Sequence, residues 1–243
     1  MRSKPTDRYH WAWHRALRRV CQRGPMRALI ASIVTVRVDG EANAEGLTPP
    51  FIVVANHSSH LDAPVLMTSL PYSITRHLAT AVAADYFYEQ KWRSTLTSVF
   101  FNSYPVDREG RKSKRAGLSV SLLRQGVPLL IFPEGTRSRT GEMARFKPGA
   151  AALARALRVP VLPVALIGAH DAMPVGRSWP VSGRPEVRVL IGEPVEVRSG
   201  ESLTDFNSRV EARVVAMHTS GSANPPDDEP DGDAAAGEQE DER

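Results

Sequence analysis

Short apolar runs alternate with amphipathic stretches along most of this chain, and this pattern predicts strands that alternate with helices. Continuous apolar runs predict buried strands at residues 51–55, 128–132 and 160–167. Weaker patterns predict further strands at residues 33–38, 76–82, 104–106 and 186–191. Periodic stretches predict helices at residues 63–70, 86–99, 113–124, 148–157 and 202–218. Such an alternation indicates an α/β fold with a mostly parallel sheet flanked by helices.

The segment NHSSHLD, residues 56–62, follows directly on the predicted strand at 51–55. Residues five apart on a continuous helix point about 140° away from each other, so His57 and Asp62 can meet only across a loop or tight turn. Asp62 precedes Ala63 and Pro64, which favours a helix start there. A histidine held by a carboxylate is a general base, so we predict this role for His57 with Asp62 as its partner. The alternatives are a turn histidine without chemistry and a helix-capping aspartate.

A second loop follows the predicted strand at 128–132 and carries FPEGTRS, residues 132–138. Gly135 permits a sharp turn or a close approach to a ligand, and the N–H groups of Gly135 and Thr136 can face an anion. Arg137 presents a planar fork of donors that suits phosphate or carboxylate, and Glu134 is expected to orient it or the acceptor. If the two strands are parallel members of one sheet, both loops leave its carboxyl edge and share a crevice. The alternatives are an ordinary turn at Gly135 and a surface ion pair of Arg137.

Other chemistries lack their sequence signals. His60 lies three residues after His57, but no third metal ligand of suitable type is apparent nearby, so we expect no metal site. No GxSxG elbow follows a strand and no GxxxxGK[ST] loop occurs. His170 and Asp171, just past the strand at 160–167, are weaker candidates for substrate contact.

Charge is distributed unevenly along the 243 residues, although the formal net charge is only +4. Residues 219–243 carry nine acids and one base, which leaves 30 basic and 18 acidic residues before them. That excess favours an anionic partner: a membrane surface, a CoA-type molecule or nucleic acid. The acidic segment lacks aromatic and branched aliphatic residues, so we expect a disordered tail. A single cysteine, Cys21, excludes an internal disulfide and indicates a reducing compartment.

The first 30 residues are expected to form a basic amphipathic helix that precedes an α/β domain at 31–218. Residues 1–27 carry eight basic residues and one acid, and Trp11, Trp13, Leu17 and Val20 recur there at mostly helical spacing. No apolar stretch reaches the 18 or so residues that span a bilayer, and no cleavable signal pattern is present. Such a helix suits the headgroup layer of an anionic membrane. The alternative is a helix that docks on its own domain.

Four blocks together carry a family resemblance: NHSSHLD at 56–62, YPVDR at 104–108, FPEGTRS at 132–138 and VPVLPV at 159–164. In this order they resemble the blocks of the glycerophospholipid acyltransferases, whose best-known members are the 1-acylglycerol-3-phosphate acyltransferases. NHx4D alone is weakly specific, whereas FPEGTRS is a full match to the family pattern. The resemblance covers roughly residues 50–170.

The resemblance implies that an acyl group passes from a thioester, acyl-CoA or acyl carrier protein, to a hydroxyl of 1-acylglycerol-3-phosphate. It implies catalysis by His57 and Asp62, without a cofactor. It implies a substrate-phosphate site formed by Arg108, Glu134, Gly135, Thr136 and Arg137. It also implies a peripheral or monotopic position on the cytoplasmic side of the cell membrane. Another lysolipid or glycerol-3-phosphate as acceptor, and a non-catalytic anionic-lipid-binding protein, remain alternatives. Nucleic-acid binding would leave both loop motifs without a role.

Overall fold

The computed structural model describes residues 11–83, 101–106 and 116–223. Within these ranges the strands are β1 Thr35–Asp39, β2 Ile52–Ala55, β3 Ala79–Ala83, β4 Tyr104–Val106, β5 Leu129–Ile131, β6 Val161–Ile167 and β7 Glu186–Ile191. The helices there are α1 Ala12–Cys21, α2 Arg27–Ile33, α3 Asp62–Ser69, α4 Tyr72–Thr75, α5 Ala116–Arg124, α6 Gly149–Leu157, α7 Ala169–Ala172 and α8 Leu203–Ala223. A 3-10 turn, Glu41–Ala44, follows β1.

The strands of the described ranges form one seven-stranded sheet in the order β1-β7-β6-β2-β5-β3-β4. Neighbouring strands run parallel except β6 and β7, which are antiparallel. The predicted α/β fold with a mostly parallel sheet flanked by helices is therefore confirmed.

Both faces of the central strands are buried, which explains their continuous apolar runs. In β2, Val53 and Ala55 pack into the core on one face, whereas Ile52 and Val54 pack into the core on the other. Helices α2 and α3 cover the first face, and helices α5, α6 and α8 cover the second. The centre of the sheet is therefore a rigid base for the loops that leave its edge.

Several boundaries differ from the sequence predictions. Ile33 ends α2 rather than starting a strand, and β1 begins at Thr35. Residues 72–75, without a predicted element, form α4. The last helix continues to Ala223, so residues 219–223 are helical rather than part of a disordered tail. Gly221 explains this extension, because it packs against Ile167 and Leu190 with no room for a Cβ. The helix predicted at 86–99, the remaining tail and Arg108 lie outside the described residues.

The N-terminal helical segment docks on the domain through polar side chains. Arg18 is buried and its Nη1 donates to Oδ1 of Asn102 at 2.8 Å. Arg23 donates to the carbonyl of Leu70 at 2.9 Å. A π-helical stretch, Gln22–Met26, joins α1 to α2 and contains Pro25, whose missing N–H interrupts regular helical bonding.

The apolar side of α1 points outward. Trp13 and Val20 are 60% and 67% exposed, and Leu17 between them is also exposed. These three positions recur at i, i+4 and i+7 and so share one helix face, opposite the buried Arg18. This arrangement inverts the usual amphipathic helix of a water-soluble domain. None of the helices in the described ranges has both the length and the apolar character needed to traverse a bilayer.

Candidate active site

The two motif loops leave the sheet side by side. Strands β2 and β5 are parallel neighbours, with Val53 opposite Leu130. Segment 56–61 follows β2 and segment 132–138 follows β5, so both lie at the carboxyl edge of the sheet. The backbone N–H of Ser138 donates to the carbonyl of His57 at 2.8 Å, which joins the loops directly. The chain therefore brings the two segments into one site, as the sequence predicts.

His57 and Asp62 form a close pair. Nδ1 of His57 lies 2.7 Å from Oδ2 of Asp62, and the aspartate side chain is fully buried (0% exposed). The same oxygen accepts the backbone N–H groups of Ser58 at 2.7 Å and Ser59 at 2.8 Å. Asp62 is the first residue of α3, and its carboxylate holds the loop that precedes the helix. Asp62 therefore both stabilises the turn and binds the imidazole. These two roles, partner of His57 and residue at the helix start, were alternatives from the sequence alone.

The imidazole of His57 has a defined orientation. An N–H at Nδ1 pointing to the carboxylate leaves Nε2 as the basic nitrogen. The ring stacks on Phe132 at a centroid distance of 4.1 Å and an interplanar angle of 19°. The side chain is 23% exposed, so a substrate can reach it. Phe132 had no assigned role in the sequence analysis, although its place as first residue of FPEGTRS is a signal that it adjoins the site.

Glu134 connects the two loops through backbone groups. Its Oε1 accepts the N–H of His57 at 2.6 Å, and its Oε2 accepts the N–H of Ala144 at 2.9 Å. The side chain is only 3% exposed. Burial raises the pKa of this carboxyl, while the hydrogen bonds from Ala144 and His57 act in the opposite direction. Glu134 thus holds backbone rather than pointing both oxygens at a ligand, which differs from the phosphate-binding role expected from sequence.

Positive side chains lie along the second loop. Nη1 of Arg137 contacts Nε2 of His60, which brings the guanidinium to the loop that carries His57. Gly135 has φ +77°, and a Cβ there would lie 2.6 Å from Nζ of Lys147. A glycine is therefore required for conformation and for space, and the ammonium of Lys147 lies against the loop. Thr136 is exposed at the same turn.

A third strand contributes to the same edge. The side-chain amide of Asn56 donates to the carbonyl of Leu166 at 2.8 Å and accepts its N–H at 2.7 Å. Ser59 donates through its hydroxyl to the carbonyl of Met173 at 2.8 Å. The ring of His170 lies beside Gly141, where a Cβ would be 3.1 Å from Cδ2. The loop that carries His57 is therefore fixed to β6 and α7 as well as to the FPEGTRS loop.

Metal ligands do not cluster in the described parts of the chain. Within residues 11–83, 101–106 and 116–223, no group of three or more His, Cys, Asp or Glu side chains is arranged to hold a metal ion.

Comparison with known proteins identifies relatives along much of the chain. A family model described as Acyltransferase matches residues 35–167. The chain is 31% identical over 170 residues to "1-acyl-sn-glycerol-3-phosphate acyltransferase BAT2, chloroplastic" of Brassica napus, covering 69% of this chain and 47% of that protein. It is 35% identical over 180 residues to "1-acyl-sn-glycerol-3-phosphate acyltransferase alpha" of Ovis aries, covering 69% of this chain and 58% of that protein. The chain spans about half the length of these curated relatives.

A solved structure has the same fold. The "1-acyl-sn-glycerophosphate (LPA) acyltransferase, PlsC, from Thermotoga maritima" matches with a TM-score of 0.66 and 24% sequence identity, over 90% of this chain and 84% of that chain. The family match extends over more than half of the present sequence and includes both motif loops. This protein therefore belongs to the Acyltransferase family.

Proposed function

We propose that this protein transfers a fatty acyl group from a thioester to the hydroxyl of 1-acylglycerol-3-phosphate, giving phosphatidate. The observation that carries the proposal is the placement of the His57–Asp62 pair beside the loop of Arg137 at one edge of the sheet. The names of the curated relatives support the same acceptor. Acyl-CoA and acyl carrier protein both fit as donors, since either presents a thioester.

The chemistry requires one proton relay. Nε2 of His57 takes the proton of the acceptor hydroxyl while the oxygen attacks the thioester carbonyl. The C–O bond forms, the C–S bond breaks, and the departing thiolate receives the proton from the imidazolium. Asp62 stabilises the imidazolium through Oδ2. A positioned base contributes about 10²–10⁴-fold, and correct orientation of the hydroxyl supplies several kcal/mol more.

The acceptor phosphate binds to the second loop in this proposal. Arg137 supplies the donor fork, and the N–H of Thr136 completes the anion site together with Arg108. Gly135 shapes the turn instead, because its N–H already donates to the carbonyl of Phe132 at 3.1 Å. The nearby ammonium of Lys147 adds positive charge. Glu134 acts as a positioning residue, because its carboxylate oxygens already hold His57 and Ala144.

The N-terminal segment binds a membrane surface in the same proposal. The outward stripe of Trp13, Leu17 and Val20 supports contact with the acyl boundary of an anionic leaflet, since these apolar groups are exposed while Arg18 is buried. A peripheral or monotopic position on the cytoplasmic side of the cell membrane would bring the site to its lipid acceptor.

One experiment tests the assignment. Purified protein receives a panel of lysolipids and glycerol-3-phosphate with each donor type, and mass spectrometry identifies the products. We expect phosphatidate from 1-acylglycerol-3-phosphate with at least one donor, and no product from His57→Ala. If the protein binds anionic lipid but forms no product with any combination of acceptor and donor, the non-catalytic alternative is favoured. If product forms only with another acceptor, that acceptor replaces 1-acylglycerol-3-phosphate as the proposed substrate.

A further inference from the structure

The contact between Arg137 and His60 has a defined donor and acceptor. A guanidinium carries N–H donors and no acceptor, so Nε2 of His60 must accept the hydrogen bond from Nη1 of Arg137. A ring that accepts through Nε2 is the neutral imidazole. This contact with Arg137 therefore favours the neutral form of His60.

An arriving phosphate changes this balance. Its oxygens take N–H donors of Arg137 and come close to the ring of His60, because that ring contacts Nη1 of the same guanidinium. A negatively charged oxygen beside Nε2 favours a ring that donates from that nitrogen, and the imidazolium adds a positive charge to this hydrogen bond. Phosphate binding at Arg137 should thus draw a proton onto His60.

We propose that His60 is a second phosphate-binding residue of the acceptor site and takes up a proton from solvent when a phosphate monoester binds to Arg137. This inference rests on the proposed acceptor site at Arg137. It gives the site a preference for monoesters, because a monoester carries about −1.5 to −2 charges at pH 7. A phosphodiester carries a single negative charge and draws the proton less strongly.

The surrounding charges allow this protonation. The carboxylate of Asp62 is already held by His57 and two loop amides, and Glu134 is buried with its oxygens on backbone N–H groups. Three described segments surround the site: residues 56–62, 132–147 and 168–173. Their charged and titratable groups other than His60 are His57, Asp62, Glu134, Arg137, Arg139, Glu142, Arg145, Lys147, His170 and Asp171. The positive members of this set oppose a charged His60, and a bound phosphate offsets them.

The test measures proton uptake on binding, without turnover. His57→Ala serves as the background, because it removes the imidazole of the proposed general base and prevents the reaction. A short-chain 1-acylglycerol-3-phosphate is titrated at about pH 7.5 in buffers of different ionisation enthalpy, with the matching 1-acylglycerophosphoglycerol as a diester probe.

We expect uptake of a large fraction of one proton per bound monoester in His57→Ala. The double variant His57→Ala/His60→Asn should show no uptake and should bind the monoester several-fold to tenfold more weakly, with little change for the diester. His57→Ala/His218→Asn is the matched control and should retain the uptake, since His218 lies on α8.

Two outcomes overturn the proposal: equal proton uptake with and without His60, or no binding of the monoester to the background variant. In the protein with His57 intact, His60→Asn should raise the acceptor KM and leave kcat and the donor KM nearly unchanged. Failure of acyl transfer would not affect the calorimetric result, so the two proposals fail separately.

Discussion

The carboxylate of Glu134 accepts the backbone N–H of His57 at 2.6 Å, although 77 positions separate the two residues in the chain. The other oxygen accepts the N–H of Ala144, so one buried side chain holds the backbone of both motif loops. The position of the imidazole therefore depends on a residue that has no need to touch the substrate.

Replacement of Glu134 by Gln should separate positioning from substrate binding. Glutamine has one acceptor oxygen where the carboxylate has two, so an N–H of His57 or Ala144 would face an amide NH2. We expect the free energy of unfolding to fall by about 1–3 kcal/mol, as for other buried donors left unpaired. We also expect kcat to fall at least tenfold with a smaller change in acceptor KM. Denaturant unfolding and steady-state kinetics provide the measurements, and an acceptor KM effect without loss of kcat would instead assign Glu134 to the phosphate.

The raised pKa of Glu134 predicts a pH dependence of stability. Because the folded state holds this proton more tightly than the unfolded state, folding takes up a proton in the window that starts at the ordinary glutamate pKa of 4.5 and extends upward. The contribution of Glu134 to the free energy of unfolding therefore falls as pH rises through that window. Glu134→Gln should lack this component. Unfolding curves of both proteins between about pH 4.5 and 7 measure it, and a difference that stays constant with pH would contradict the prediction.

His57→Ala should abolish turnover and preserve the fold. The ring is partly exposed and packs on Phe132, so its loss should shift the melting temperature by only a few degrees. Asp62→Ala should lose both turnover and stability, because the N–H groups of Ser58 and Ser59 would lose their acceptor. Product formation and thermal unfolding distinguish the two variants. Near-normal turnover in His57→Ala would remove the general-base mechanism.

Arg137→Lys should raise the acceptor KM far more than the donor KM. Lysine keeps the charge but loses the planar fork that binds a phosphate through two N–H groups. Tenfold or larger weakening is expected, since each lost charge-assisted hydrogen bond is worth about 1.5–3 kcal/mol. Arg139→Lys, on the same loop and exposed, is the control and should change neither constant appreciably. A change confined to the donor KM would indicate that this loop binds the thioester donor rather than the acceptor phosphate.

The exposed residues of α1 should affect membrane binding, whereas the buried Arg18 should affect stability. Trp13→Ser with Val20→Ser should weaken co-sedimentation with anionic liposomes and leave the melting temperature unchanged, because both side chains face outward. Arg18→Ala should lower the melting temperature, since it removes the buried hydrogen bond to Asn102. Unaltered liposome binding by the double serine variant would reject α1 as the membrane contact.

Continuous apolar runs predict the central strands of this fold because both faces of those strands are buried. The apolar run at Ile52–Ala55 is continuous for that reason, and NHSSHLD follows it directly. The end of α8 was harder to predict, because residues 219–223 are small and polar and their helix is stabilised by the packing of Gly221.

The hydrogen-bond partners of the buried polar groups could be identified only once the strand order was known. The hydrogen bonds between Asn56 and Leu166 depend on β6 lying next to β2, which no local pattern reveals. The backbone contacts of Glu134 escaped prediction for the same reason, since its acceptor atoms meet backbone amides that no side-chain pattern reveals. The contact of His57 with Asp62 was therefore predictable from the motif, whereas the backbone contacts that hold the two loops were not.

The inverted amphipathicity of α1 has a practical consequence for handling the purified protein. Because indole and aliphatic groups face outward there, we expect copies of the protein to associate through them in plain buffer. Detergent micelles or small bicelles should cover the exposed face of Trp13, Leu17 and Val20 and keep the protein monodisperse. The size-exclusion peak should then become narrower.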